Sequence, residues 1–330
     1  MLETMTRQHA GASAGPPRNH GAAFDEAYFR SERVNRSAVE RRIASLPGRR
    51  TVKQQWQAAW LVRAIECLDL TTLAGDDTAG TVERLCAKAR QPVRRDIQQA
   101  LGLAEYPLRV GAVCVYHDMI GPALAALHGS GIPVAAVSAG FPAGLNPFEL
   151  RVREIEASVA AGASEIDIVI SRRLVLRGDW RALYDEVRAF RAACGPAHLK
   201  TILATGELGT LGQVYRASMV CMLAGADVIK TSTGKESVNA TLPVGLTMVR
   251  AIRQYHQRTG QVVGFKPAGG IRSARQALDW LILIKEELGT AWMHPTRFRI
   301  GASTLLGDIE RQLEHHVTGA YSAGHRHPLA

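Results

Sequence analysis

Two periods of hydrophobic and polar residues alternate along most of this chain. Short runs rich in Val and Ile, almost continuously apolar, recur at regular intervals: AIECLDLTTL, LRVGAVCVY, IPVAAVSAG, SEIDIVI, HLKTILAT, ADVIKTS, QVVGFKPAG and RFRIGAS. Each reads as a strand buried on both faces, since a half-exposed strand would alternate apolar and polar residues. Between them lie stretches with apolar residues three and four apart, the period of a helix with one buried face. These are TAGTVERLCAKARQ, with Asp77 and Thr78 available as caps, PFELRVREIEASVAAGA, WRALYDEVRAFRAACG, LGQVYRASMVCMLAGA, TLPVGLTMVRAIRQYHQRTG, SARQALDWLILIKEELG and TLLGDIERQLEHH. Several end at glycine, which adopts the left-handed conformation of a helix C-cap without strain.

Eight strand–helix units in about 250 residues match a (β/α)8 barrel in number and length. The expected class is therefore α/β, a TIM barrel with an N-terminal helical extension. An open doubly wound sheet is the competing architecture, but GxGxxG after the first strand is absent. The expected organisation is a mobile Gly-, Ala-, Pro- and Arg-containing arm over 1–30 and a helical extension over 31–60. The barrel follows over 61–316 and a tail over 317–330. The extension is expected to cap the barrel's lower end or its flank.

Composition narrows the partners. No apolar run approaches the ~20 residues of a membrane helix, and the first residues lack the apolar core of a secretory signal. Five cysteines, an odd number without a CxxC, argue against a disulfide framework or a zinc site and for a cytoplasmic location. The net charge of +10 is spread among carboxylates, as in ERRIASLPGRR and RVREIEAS, with no interleaved aromatics. That pattern argues against nucleic acid and suits attraction of a phosphorylated metabolite. Self-association into a homo-oligomer is left open.

The candidate chemistry lies in the lysines. Only seven of the 40 cationic residues are lysine, and four of those sit in or just after β-branched runs: Lys200, Lys230, Lys235 and Lys266. Arginine holds its proton and is a poor nucleophile, whereas a desolvated lysine beside another cation can attack a carbonyl and form an imine. In a barrel the reacting groups stand where strands end. Those positions carry Asp69, Thr71 and Thr72, then Cys114, Asp167, Lys200, Lys230 and Lys266, with Ser303 and Thr304 after the last strand. Structural roles compete with these. Lys266 could simply pair with Asp167, Lys200 could hold the barrel together, Cys114 could be a small buried apolar residue, and Asp69 could cap a loop. The histidines form no convincing metal set, and no cofactor is expected.

The glycines point to phosphate. PAGGIR and RIGAST follow strands 7 and 8, where this fold commonly binds phosphate through backbone N–H groups and a helix N-terminus. Thr233, Gly234 and Lys235 add a hydroxyl, backbone and charge after strand 6.

The motifs DLTTL, VCVY, EIDIVI, LKTILATGEL, DVIKTSTGK, GFKPAGGI and FRIGAST, in order from about residue 60 to residue 316, resemble the deoxyribose-phosphate aldolases. KTSTG together with KPAGG is the most specific element. The resemblance implies a class I aldolase that cleaves 2-deoxy-D-ribose 5-phosphate to glyceraldehyde 3-phosphate and acetaldehyde without a metal. By motif, Lys230 would form the imine, Lys266 would lower its pKa, and Asp167 would relay protons. Gly234, Lys235, Gly269, Gly270, Gly301, Ser303 and Thr304 would hold the phosphate, and Asp69, Thr71, Cys114, Lys200 and Thr233 would contact the substrate. His117-Asp118 departs from the proline that commonly follows VCVY. Tyr321 is the tyrosine nearest the C-terminus, where some members use one in proton transfer. Another imine-forming aldolase, a transaldolase, or a catalytically silent sugar-phosphate sensor are the alternatives.

Overall fold

The structure, a computed structural model, describes residues 16–327. Its centre is an eight-stranded parallel barrel: β1 Leu68–Thr71, β2 Ala112–Val115, β3 Val134–Ser138, β4 Glu165–Val169, β5 His198–Ile202, β6 Val228–Lys230, β7 Gly264–Lys266 and β8 Ile300–Ala302. Neighbours pair in chain order, and β8 returns to β1. The ring closes between β7 and β8 through bridges Phe265–Phe298 and Ala268–Gly301. All eight predicted strands are present, each shorter than its apolar run. The first run begins too early because Ala64, Ile65 and Glu66 end a helix.

Among the described residues twelve α-helices surround the strands: α1 Arg36–Arg49, α2 Gln54–Glu66, α3 Ala79–Arg90, α4 Arg95–Ala100, α5 Ile120–Leu127, α6 Phe148–Ala160, α7 Arg172–Arg177, α8 Trp180–Ala193, α9 Leu211–Leu223, α10 Leu242–Thr259, α11 Ala274–Leu288 and α12 Leu305–Thr318. The helical period had indicated seven of them between and after the strands. Thr78 caps α3 by accepting from the Thr81 N–H, and Ser273 opens α11 with a reciprocal capping box to Gln276. Helix α5 went unseen because Gly121 and Pro122 interrupt its short apolar run. His117 and Asp118 form a single 3-10 turn that leads into it.

Three expected boundaries change. The arm expected to be mobile is docked from residue 16 onward. Asn19 is buried, and its backbone N–H donates to Asp227 at 2.8 Å. Its side chain donates to the Met222 and Ala226 carbonyls at 2.7 and 2.8 Å and accepts from the Tyr255 hydroxyl at 3.0 Å. A side chain at Gly21, where φ is +72°, would meet the Leu223 carbonyl oxygen at 2.5 Å. Phe29 is also buried, worth about 1.5–3 kcal/mol. Residues 1–15 of the expected arm lie outside the described residues.

The second boundary, at 60/61, falls inside α2, which packs with α1 against the flank formed by α10, α11 and α12. The third, at 316/317, falls in the last turn of α12. Tyr321 stacks on His315 with ring centroids 4.1 Å apart, at the end of α12 away from the strands' C-terminal mouth. His327 then folds back to Glu310 and Glu314, at 3.0 and 2.7 Å. Residues 328–330 lie outside the described residues.

Candidate active site

Parallel register sets the site. Lys230 on β6 is the register partner of Lys266 on β7, and Asp167 on β4 is the partner of Lys200 on β5. With a side-chain period of two, all four turn into the barrel, Lys230 and Lys266 two residues further along their strands than Asp167 and Lys200, since Lys230 is the register partner of Ile202. Asp69 joins them from β1. All are buried.

The contacts form one ionic cluster. Asp167 Oδ2 accepts from Lys230 Nζ and from Lys266 Nζ, both at 2.8 Å, and its Oδ1 accepts from Lys200 Nζ at 2.8 Å. Lys266 also donates to Asp69 Oδ2 at 2.5 Å, and Lys200 lies 3.3 Å from the same oxygen. Lys200 reaches Glu165 at 2.5 Å. Arg299 donates to Asp69 Oδ1 at 2.5 Å and to Glu165 Oε1 at 2.9 Å.

Three carboxylates therefore face four basic groups. If every group were ionised the centre of the barrel would hold one net positive charge, which a low-dielectric interior strongly opposes. The proton least supported is that of Lys230. Lys200 pairs with Asp69, Glu165 and Asp167, and Lys266 pairs with Asp69 and Asp167. Lys230 pairs with Asp167 only, through the oxygen that Lys266 also uses.

The pKa directions follow this inventory. Burial pushes Lys230 down, and Lys266 adds to that against the pull of Asp167, leaving it below the ordinary lysine value. Burial acts the same way on Lys200 and Lys266, but the carboxylates around them win and hold both above it. Burial alone would raise Asp167; Lys200, Lys230 and Lys266 together hold it well below the usual carboxylate range. Cys114 is raised, chiefly by burial, so it stays a thiol.

Above this cluster lies a pocket of about 340 Å³. Lys230 is in its floor. Its walls hold Thr71, Thr233, Gly234, Lys235, Gly269, Gly270, Gly301, Ser303 and Thr304. Arg272, which the sequence reading passed over, stands there too, just before the Ser273 cap of α11. The loops after β6, β7 and β8 thus converge as expected. Gly269, at φ +81°, has Asn239 within 2.7 Å of where a Cβ would be, and a Cβ on Gly301 would sit 3.1 Å from Lys266 Cε. Ala268 Cβ would be closer still, at 2.9 Å, so the Gly301 side of the pocket is shaped by Ala268 and by the lysine beneath it. Lys235 Nζ donates to the Leu73 carbonyl at 3.0 Å, fastening the loop after β6 to the loop after β1.

Five of the residues nominated from sequence are not in the pocket wall. Asp167 and Lys266 lie under Lys230. Asp69, Cys114 and Lys200 were expected to contact substrate, yet they are sealed within the barrel, and Asp69 and Lys200 are held by the ion pairs just described. The other half of the interior is apolar: Cys114, Ala135, Val137, Phe141, Val169 and Ile202, with Leu73 and Tyr116 at its edge. The sequence reading missed this wall because those residues look like any other barrel filling. Among the described residues no group of His, Cys, Asp and Glu is placed to hold a metal ion, and no helix is long and apolar enough to cross a membrane.

A family model described as DeoC/LacD family aldolase matches residues 63–303. The chain is 57% identical over 314 residues to a deoxyribose-phosphate aldolase of Homo sapiens, covering 94% of this chain and 99% of that protein. Its identity to the deoxyribose-phosphate aldolase of Bos taurus is also 57%, over 312 residues, covering 94% and 98%. Among solved structures it resembles a tetrameric deoxyribose phosphate aldolase from Aeropyrum pernix, with a TM-score of 0.58 and 20% identity over 85% of this chain and 99% of that one. At that identity the likeness speaks for the fold.

Proposed function

This chain belongs to the DeoC/LacD family of aldolases, and from that premise we propose which of its residues carry the reaction. It is a class I aldolase that reversibly cleaves 2-deoxy-D-ribose 5-phosphate to D-glyceraldehyde 3-phosphate and acetaldehyde through a lysine imine. Lys230 is the imine-forming residue. The observation that carries this assignment is that, of the three buried lysines, Lys230 alone lines the pocket and alone lies below the ordinary lysine pKa.

The neutral Lys230 amine attacks the C1 aldehyde of the open-chain sugar. The Lys266–Asp167 pair supplies the proton with which the former carbonyl oxygen leaves as water. The resulting protonated imine is an electron sink. The proton of the C3 hydroxyl passes to Asp167, the C2–C3 bond breaks, and its electron pair flows into the imine to give an enamine. Glyceraldehyde 3-phosphate departs. Protonation at C2 and hydrolysis then release acetaldehyde and restore the amine.

The pocket suits both ends of this substrate. The phosphate is bound by the backbone and hydroxyls of Gly234, Gly269, Gly270, Gly301, Ser303 and Thr304, with the charges of Lys235 and Arg272. It is remote from the reacting carbons, so its binding energy serves orientation. Leu73, in the pocket wall at the edge of the apolar half, flanks the two-carbon end, and the buried residues behind it keep water from Lys230, which sustains the neutral amine. Thr71 and Thr233 stand beside the sugar hydroxyls.

Donor profiling tests the reading. Acetaldehyde should add to glyceraldehyde 3-phosphate. Transfer of a three-carbon ketone unit instead, or absence of any turnover, would favour a transaldolase or a silent sugar-phosphate sensor.

A further inference from the structure

Two buried charges in the barrel lie below every group used above. Glu165 opens β4, and Arg299 directly precedes β8. They are 3% and 7% exposed. Both border a cavity at the lower end of the barrel, opposite the pocket that holds Lys230, so neither can touch the substrate. Arg299 spans Asp69 and Glu165 with its two terminal nitrogens, and its Nε donates to the Pro295 carbonyl. Glu165 in turn holds Lys200, which holds Asp167 Oδ1.

We propose that Glu165 and Arg299 are positioning residues for the aldolase reaction: from beneath, they fix the charge and geometry of the Asp69–Lys266–Asp167 set that faces Lys230.

Stability alone does not account for them. Barrel interiors are ordinarily filled by branched apolar side chains. A buried ion cluster is commonly no more stabilising than apolar residues of the same volume. The pair does, however, settle two things that the reaction needs. Arginine cannot release its proton, so Arg299 is a fixed positive charge. It offsets Glu165 at every pH, so three lysines face the remaining carboxylates Asp69 and Asp167, neutrality requires that one lysine give up a proton, and the lysine with the least carboxylate support is Lys230. Asp69 is also held from both sides, by Arg299 on Oδ1 and by Lys266 on Oδ2. That orients Lys266 toward the Asp167 oxygen it shares with Lys230.

The other charged or titratable groups around Lys230 are Asp167 and Glu165 on β4, Lys266 on β7, Lys200 on β5, Asp69 on β1 and Cys114 on β2. His198, at the start of β5 next to Glu165, is pushed down chiefly by burial.

The inference rests on Lys230 being the imine former, and the experiment separates the two claims. Imine formation with acetaldehyde is followed against pH in wild type, Glu165→Gln, Arg299→Met and the double variant, with borohydride trapping and peptide mapping on each. Removing an anion should move the acidic limb of imine formation to lower pH. Removing the fixed cation should move it to higher pH. Each shift should be roughly half a unit or more, less than the 1–3 units of a directly contacting charge. In the double variant the two should cancel, returning the limb close to wild type. KM for the phosphorylated sugar should change little in any variant.

Arg299→Met strips two carboxylates of a partner. If it does not fold, Glu165→Gln and the double variant carry the test: a downward shift in the first, reversed in the second. Labelling at Lys230 with an unshifted limb, or with shifts of the same sign, would overturn this inference alone. Absence of label at Lys230 in the wild type would overturn the imine assignment beneath it.

Discussion

Replacing Lys266 with leucine probes how the reactive lysine is kept neutral. Lys230 and Lys266 both donate to Asp167 Oδ2 at 2.8 Å, so their nitrogens are at most 5.6 Å apart, twice that contact. Two unit charges at that separation repel by about 3 kcal/mol at an effective dielectric of about 20, equivalent to roughly 2 pKa units. Leucine removes this repulsion. It also leaves Asp167 with one cation fewer to share, which strengthens its pull on a protonated Lys230. The added apolar surface works in the opposite direction by disfavouring the ammonium, but the site is already fully buried, so little further desolvation is available. The sign is therefore upward. A protonated amine cannot attack, so the acidic limb of imine formation should move to higher pH, by about 2 units or more, since both charge effects act in the same direction. Below the limb, each unit costs tenfold in rate. The assay is the pH dependence of single-turnover imine formation with acetaldehyde between pH 5 and pH 10, read as the position of the limb and not its height, because Lys266 also helps to supply the proton with which water leaves. An unshifted limb would refute the charge argument and leave Lys266 as a proton carrier only; a downward shift would mean that desolvation dominates.

Further predictions address other parts of the site. Ser303→Glu should raise KM for deoxyribose 5-phosphate far more than for unphosphorylated deoxyribose, since like charges ~4 Å apart repel by several kcal/mol at an effective dielectric of about 20; equal losses would place the phosphate elsewhere. Turnover should survive exhaustive chelation because the imine acts as the electron sink, and loss in EDTA restored by a divalent ion would contradict that. Asn19→Ala should lower unfolding free energy by about 2 kcal/mol in urea titrations, because it removes three buried hydrogen bonds, to the Met222 and Ala226 carbonyls and from the Tyr255 hydroxyl. Its imine formation should stay as in wild type, and unchanged stability would mean that the docked segment contributes little.

The barrel was legible in the chain because burial on both faces of a parallel strand leaves nearly unbroken Val- and Ile-rich runs. Lys230, Lys266 and Asp167 stood out as charges embedded in such runs. The loop glycines were legible from their place after strands 6, 7 and 8. What the pattern could not convey was depth. Lys230 and Lys266 each end a strand and are register partners, yet Lys266 is drawn inward by Asp69 and Asp167, and of the three buried lysines only Lys230 meets the pocket. Arg299 and Glu165 carry the same signal, a charge at the edge of an apolar run, but at strand beginnings, where a barrel of this kind does not do its chemistry. The Asn19 segment was read as mobile because its Gly and Pro content resembles a linker, whereas its anchors, Asp227, Met222, Ala226 and Tyr255, lie some 200 residues away in the chain.

The central claim is that Lys230 forms the imine, and borohydride trapping in the presence of acetaldehyde tests it most directly. Wild-type protein should acquire one reduced two-carbon adduct, mapped to the peptide containing Lys230. Lys230→Arg, which keeps a positive charge but cannot form the imine, should acquire none. An adduct on Lys200 or Lys266 in the wild type, or single-site labelling that persists in Lys230→Arg, would contradict the assignment.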